Sequence, residues 1–106
     1  MTDAESVVHR TAVVVNQRGL HARAAALVAR VAGRFEAEVT VANKDEEVSA
    51  LSIMGMLMLA ATTGTTLRIT AAGADAADAA DTLARLVENG FEEEDFPGYY
   101  TIERLN

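Results

Sequence analysis

The sequence predicts an α+β fold, a two-layer open-faced sandwich in which a four-stranded, mainly antiparallel sheet is covered on one face by three helices. Three observations carry this expectation. Short β-branched or alternating segments and amphipathic segments follow one another in the order β-α-β-β-α-β-α. The clearest strand, FEAEVTV at 35–41, sets Phe35, Ala37, Val39 and Val41 against Glu36, Glu38 and Thr40, so one sheet face is wet and the other needs a cover of helices. The chain has 106 residues, half of them hydrophobic, which is enough for one modest core and too little for two.

Each element has its own signal. RTAVVVN (10–16) is β-branched and short, a strand, and NQRG is the polar turn after it. From Leu20 the apolar positions Leu20, Ala24, Leu27, Val28 and Val31 share one helical face, and Gly33 stops the helix. After FEAEVTV, the turn NKDEE lets EVSAL return as a short antiparallel strand. A second helix begins at Ser52 and runs to about Ala61, with Met56 and Leu59 toward the sheet and Ile53, Met54 and Leu57 exposed; TTGT then leads into TLRITA, where Leu67, Ile69 and Ala71 alternate with polar neighbours. The last helix starts at about Asp75, turns Ala76, Ala80, Leu83 and Val87 inward, and ends at Gly90. The domain therefore occupies residues 1–90. Residues 91–106, FEEEDFPGYYTIERLN, read either as a free acidic tail or as a segment that lays its aromatic residues on the domain.

Composition narrows the function classes. No cysteine is present, so neither a disulfide framework nor a thiolate metal site is available. MTDAESVVHR lacks the basic and apolar regions of a signal peptide, and ALSIMGMLMLAA is well short of the roughly 20 apolar residues that span a bilayer, so a cytoplasmic protein without membrane insertion is expected. The net charge of −7 argues against a nucleic-acid binder. Its distribution is uneven, however: residues 1–34 hold Arg10, Arg18, Arg23, Arg30 and Arg34 against only Asp3 and Glu5. A basic patch around His21 on an acidic protein suits an acidic partner or a phosphate. There is no phosphate-binding glycine loop, and the one lysine, Lys44, lies in a turn; no cofactor or metal is called for, and His9 reads as a solvated residue beside the first strand.

His21 stands at the mouth of the first helix in RGLHARAAA. The exposed N–H groups of a helix start favour an anion and disfavour imidazolium, which keeps a histidine there neutral and nucleophilic, and Arg23 in the first turn can fork two hydrogen bonds to a phosphate. On these residues alone two readings stand: a phosphoryl-accepting histidine with its arginine, or a simple cap beside a solvated surface charge. Ser52 is likewise an N-cap by its position. Gly55 within SIMGMLML costs the helix up to about 1 kcal/mol relative to alanine, and either the approach of a partner backbone or internal packing would account for it.

RGLHARAAALV resembles the active-site segment of the histidine-containing phosphocarrier proteins of the bacterial phosphotransferase system, the HPr family, and SALSIMGMLMLAATTGT resembles that family's second-helix segment. The likeness runs from about Thr11 to Asn89 in the family's order of elements. It implies that His21 is phosphorylated on Nδ1 with Arg23 on the phosphate side, that Asn16, Gly19 and Ala22 support the phosphate loop, and that Ser52 is the regulatory serine of a dedicated kinase. It further implies docking of partners on Ile53, Met54 and Leu57 together with Arg18 and Arg30, the partners being enzyme I as donor and an A-type enzyme II domain as acceptor. The chain is then a carrier and not an enzyme, in sugar uptake or in a nitrogen- or carbon-linked relay of the proteobacterial type. A regulatory binding module, controlled through Ser52, is the alternative. Two positions depart from the family pattern: Ala24 replaces a usual proline, and Leu51 stands where many relatives have lysine.

Overall fold

The computed structural model describes residues 6–92, and the expected aromatic and acidic segment from residue 93 onward lies outside them. Four strands and three helices follow the expected order: β1 (Val7–Val13), α1 (Ala22–Ala32), β2 (Glu38–Asn43), β3 (Glu46–Ser49), α2 (Ile53–Met58), β4 (Thr66–Ala72) and α3 (Ala76–Glu88). All pairings are antiparallel and the strand order is β1-β4-β2-β3. No helix among the described residues is long and apolar enough to cross a membrane.

Strand ends differ from the local reading where the sheet lacks a partner or another group takes the backbone. β1 begins three residues earlier than expected because β4 supplies a seven-residue partner from Ala72 to Thr66 opposite Val7 to Val13. Beyond it Val14 bonds to the turn before β4, donating to the Thr65 carbonyl at 2.9 Å and accepting from the Gly64 N–H at 2.8 Å. Phe35 to Ala37 precede the β2 ladder, although Ala37, Val39 and Val41 keep the expected inward alternation. The reason is Asp75: its carboxylate accepts the N–H groups of Glu36 (2.9 Å) and Ala37 (2.8 Å), which are then lost to the sheet. Asp75 thus staples the start of α3 to the entry of β2 and makes no side-chain cap on its own helix.

The core lies between the sheet and the helices. Val14, Val39, Val41, Leu67, Ile69 and Ala71 face Met56, Leu83, Val87 and the alanines of α1 and α3. Those alanines let the helices approach the strands closely, while Met56, Leu67, Ile69 and Leu83 are the largest of the fully buried side chains, each worth roughly 1.5–3 kcal/mol of transfer energy on burial. The opposite sheet face is exposed and mixed: Val7 and Val13 lie on it with His9, whose Nδ1 is 3.0 Å from Thr70 Oγ1, and Thr40 donates to Glu47 at 2.9 Å. Phe91, which the sequence reading put in the tail, is buried in the core in the turn Gly90–Glu92, where its backbone is left-handed (φ 57°).

α2 is shorter than expected. Leu59 and Ala60 donate to carbonyls three residues back, Met56 at 3.1 Å and Leu57 at 3.2 Å, and Ala60 takes a left-handed φ of 52°, which ends the helix before Ala61.

The Asp75 staple predicts a pH dependence. The bond from Glu36, partly opposed by burial and reinforced by the bond from Ala37, holds the Asp75 carboxyl below the ordinary aspartate value. A depressed folded-state pKa stabilises the fold above the unfolded-state value of about 3.9, and that contribution is lost as pH falls through the folded value. Asp75→Asn is expected to melt several degrees below the parent at pH 7, with the difference shrinking as the pH is lowered from 5 toward 2. Thermal melts across that range check it; a constant difference would mean that the charge is irrelevant.

Candidate functional site

His21 is the N-cap of α1. Its extended backbone sets the ring back over the first turn, where Nδ1 accepts the N–H of Arg23 at 3.2 Å. The first i→i−4 bond of the helix runs from the Ala25 N–H to the His21 carbonyl at 2.8 Å, so the N–H groups of Ala22, Arg23 and Ala24 all precede the regular ladder. Nδ1 is therefore the lone-pair nitrogen in this geometry, sited where the helix presents positive potential.

The loop that carries His21 is tied down from three sides. Asn16, 1% exposed, donates from Nδ2 to the Gly19 carbonyl at 2.9 Å, while the Gly19 N–H returns to the Asn16 carbonyl at 3.2 Å. Thr63 donates its hydroxyl to the same Asn16 carbonyl at 2.6 Å. Leu20 donates to the Ala61 carbonyl at 3.0 Å and His21 to the Gly19 carbonyl at 3.0 Å. Gly19 has φ +67°, and a Cβ there would overlap the Ala61 carbonyl oxygen and crowd Thr62. Only glycine allows the loop to seat against the segment that follows α2.

α2 supplies the second part of the site and packs against α1. Ser52 caps it, accepting the Gly55 N–H at 2.9 Å. Gly55 is explained by packing, since a Cβ would come within 2.9 Å of Ser52 Oγ and 3.0 Å of Val48 Cβ on β3. Met56 and Leu59 are buried as expected, and Ile53 and Met54 are exposed. Leu57 is only half-buried. Leu51 and Met58, at 62% and 78% exposure, extend the apolar surface beyond the residues singled out from sequence. Met58 belongs to the same over-hydrophobic run, which was the available signal; Ala61 and Thr63 had none, because their roles are backbone acceptance and a long-range hydroxyl bond. Arg18, Arg23 and Arg30 are all exposed, and Ala22 is exposed at the first helical position. Ala24 is buried in the first turn, where its backbone tolerates the substitution for proline without altering the helix start. His9 sits on β1, on the outer sheet face, opposite the face the helices cover. No group of three or more metal-binding side chains occurs among the described residues.

Fold and geometry together define a class: small open-faced α+β sandwiches with a histidine capping the first helix and an apolar second helix beside it. Comparison with known proteins narrows the class. A family model described as the PTS HPr component phosphorylation site matches residues 8–89. The phosphocarrier protein HPr of Xylella fastidiosa is 42% identical over 82 residues, covering 77% of this chain and 92% of that protein, and the phosphocarrier protein NPr of Shewanella violacea is 39% identical over 84 residues, covering 79% and 92%. Among solved structures, HPr-C-His from Thermoanaerobacter tengcongensis superposes with a TM-score of 0.76 at 35% identity over 81% of this chain and 97% of that one; a Bacillus anthracis HPr gives 0.74 at 38% identity over 78% and 99%. The chain belongs to the HPr family of phosphocarrier proteins of the phosphotransferase system.

The seating of the loop predicts a specific sensitivity. Gly19→Ala combines a left-handed backbone with a collision at Ala61 and is expected to destabilise the protein by about 2 kcal/mol. The midpoint of urea unfolding checks it. A variant as stable as the parent would show that the loop can leave Ala61 without cost.

Proposed function

We propose that His21 is the phosphoryl acceptor of this phosphocarrier, taking the group from a phosphohistidine on enzyme I and passing it to a histidine on an A-type enzyme II domain in the cytoplasm. The observation that carries this reading is the Nδ1 of His21 lying at the mouth of α1 as an acceptor. In each transfer the Nδ1 lone pair forms a bond to phosphorus as the donor's N–P bond breaks and its electron pair returns to the donor imidazole. The protein contributes position and charge. As the Nδ1 lone pair goes to phosphorus the Arg23 N–H is released from it, and this N–H, that of Ala24 and the α1 dipole then stabilise the phosphate oxygens, with the Arg23 guanidinium in the same turn as a further donor. Transfer runs both ways because the bond made resembles the bond broken, so direction depends on which partner docks.

Docking is the role of the apolar surface. Ile53, Met54 and Leu57, flanked by Leu51 and Met58, form the surface that meets the partner, and Arg18, Arg23 and Arg30 steer an acidic face toward it. Ser52 lies at the start of that helix. Its hydroxyl already caps α2, so a phosphate there leaves the helix capped while placing about two negative charges in the docking surface. This makes Ser52 the regulatory position and a serine kinase its partner, with Leu51 as the neighbouring residue such a kinase must accept.

Incubation with a matching enzyme I and phosphoenolpyruvate is expected to add one acid-labile, base-stable phosphate. His21→Ala should abolish it, His9→Ala should leave it intact, and Arg23→Ala should slow it with a melting temperature close to the parent's; labelling that persists in His21→Ala would sink the assignment.

Ser52→Asp separates a cap from a docking position. As a good N-cap it should keep the melting temperature within a few degrees of the parent. Phosphoryl transfer from enzyme I should nevertheless fall several-fold at low salt, and the loss should shrink as salt screens the charge. Stopped-flow or quenched transfer measurements at two ionic strengths check it. Equal rates at low salt would leave Ser52 as a cap only.

A further inference from the structure

The last described residues leave the domain beside α1. Phe91 shares one small apolar cavity with Leu20 and Val28, and the Gly90–Glu92 turn contacts α1. The two flanks of α1 differ. A Cβ at Gly33 would lie 3.9 Å from Leu51, which precedes the Ser52 cap of α2, so helical spacing puts Ala22, Ala29 and Gly33 on the flank turned toward α2. The other flank adjoins α3 and the Gly90–Glu92 turn, and along its outer edge run Arg23, Leu27 and Arg30, spaced i, i+4 and i+7 on one face. Both arginines are exposed and Leu27 is half-buried between them. Among the described residues the single ion pair is Arg10 with Asp81, so this stripe has no carboxylate from the folded domain.

The turn that contacts α1 ends at Glu92, which is followed in sequence by Glu93, Glu94 and Asp95. The family match ends at residue 89, so this run belongs to the chain's own extension. The dimensions agree as well: Arg23 to Arg30 spans about 10 Å along a helix, and Glu92 to Asp95 spans about 10 Å when extended. We propose that the acidic segment Glu92–Asp95 docks along the Arg23–Leu27–Arg30 edge of α1 and competes there with acidic partners. Surface ion pairs are individually weak, but a segment tethered at Phe91 meets the stripe at an effective concentration in the millimolar range, which suffices for partial, salt-sensitive occupancy. The contact reduces the positive potential beside His21 until a partner with a larger acidic face displaces it. The docking itself stands apart from the phosphocarrier reading; only the identity of the displaced competitor rests on it.

The chain has no cysteine, so a nitroxide can be attached at a single introduced site, Gly98→Cys, in the full-length protein. At low salt the amide resonances of Arg23, Leu27 and Arg30 should broaden well beyond those of Ile53–Met58 and of the outer sheet face. The effect should vanish near 1 M salt, where the screening length is about 3 Å, and in the full-length triple variant Glu93→Gln, Glu94→Gln, Asp95→Asn. Hexaglutamate, added as an acidic probe, should bind that triple variant several-fold more tightly than the parent. Neither readout involves phosphoryl transfer, so failure of the His21 assay and failure of this proposal are told apart. Broadening spread evenly over the domain, centred on the sheet face, or growing with protein concentration as for contact between two copies overturns the proposal, as does equal affinity of hexaglutamate for parent and triple variant.

Discussion

The bond from the Leu20 N–H to the Ala61 carbonyl is the constraint on which the site depends. It joins the loop before α1 to the chain leaving α2, and it exists only because Gly19 has no side chain to meet that carbonyl. Thr63 completes the joint by donating across it to the Asn16 carbonyl, and the Asn16 side chain braces the loop internally through the Gly19 carbonyl. With the loop held there, His21 has little choice of position: its backbone caps α1 and its ring returns over the first turn. The ring is held there with its Nδ1 lone pair on the Arg23 N–H, a bond that must open before that lone pair can be used elsewhere.

α2 does two jobs with six residues. Its inner side, Met56 together with Leu59, fills the core, and Gly55 brings its backbone against Val48 so closely that a methyl group would press on both Val48 and the Ser52 cap. That tight seat leaves the rest of the helix surface free of packing duty. An apolar surface of Leu51, Ile53, Met54 and Met58 can then face solvent on a rigid base, and methionine side chains suit contact with several different partner surfaces. The left-handed turn at Ala60 ends the helix and is followed by the Ala61 carbonyl that accepts from Leu20, so α2 and the histidine loop are tied together.

Much of this was legible in the sequence because it is local. Helical spacing marked the inward faces of α1 and α3, apart from Leu27, which is half-buried and not inward as expected; alternation marked the wet and dry sides of β2 and β4, and RGLHARAAA with SALSIMGMLMLAA marked both parts of the site. Capping by Ser52 and by His21 is likewise a matter of a few adjacent residues, and the structure shows both caps. The family likeness rests on the same short motifs, which is why it could be drawn before any coordinate was known.

The tertiary structure decided whatever depends on residues far apart in the chain. Asp75 was expected only at a helix start; that its carboxylate takes two N–H groups 38 and 39 positions away, and so delays β2, is invisible in its neighbours. The sheet order β1-β4-β2-β3, the early end of α2, the burial of Phe91 and the exposure of Met58 are of the same kind. Periodicity tells which face of an element is apolar, because side-chain direction repeats with the backbone. It does not tell which distant backbone group will lie opposite a given residue, because that is settled only when the elements pack and each buried N–H and carbonyl must find its partner.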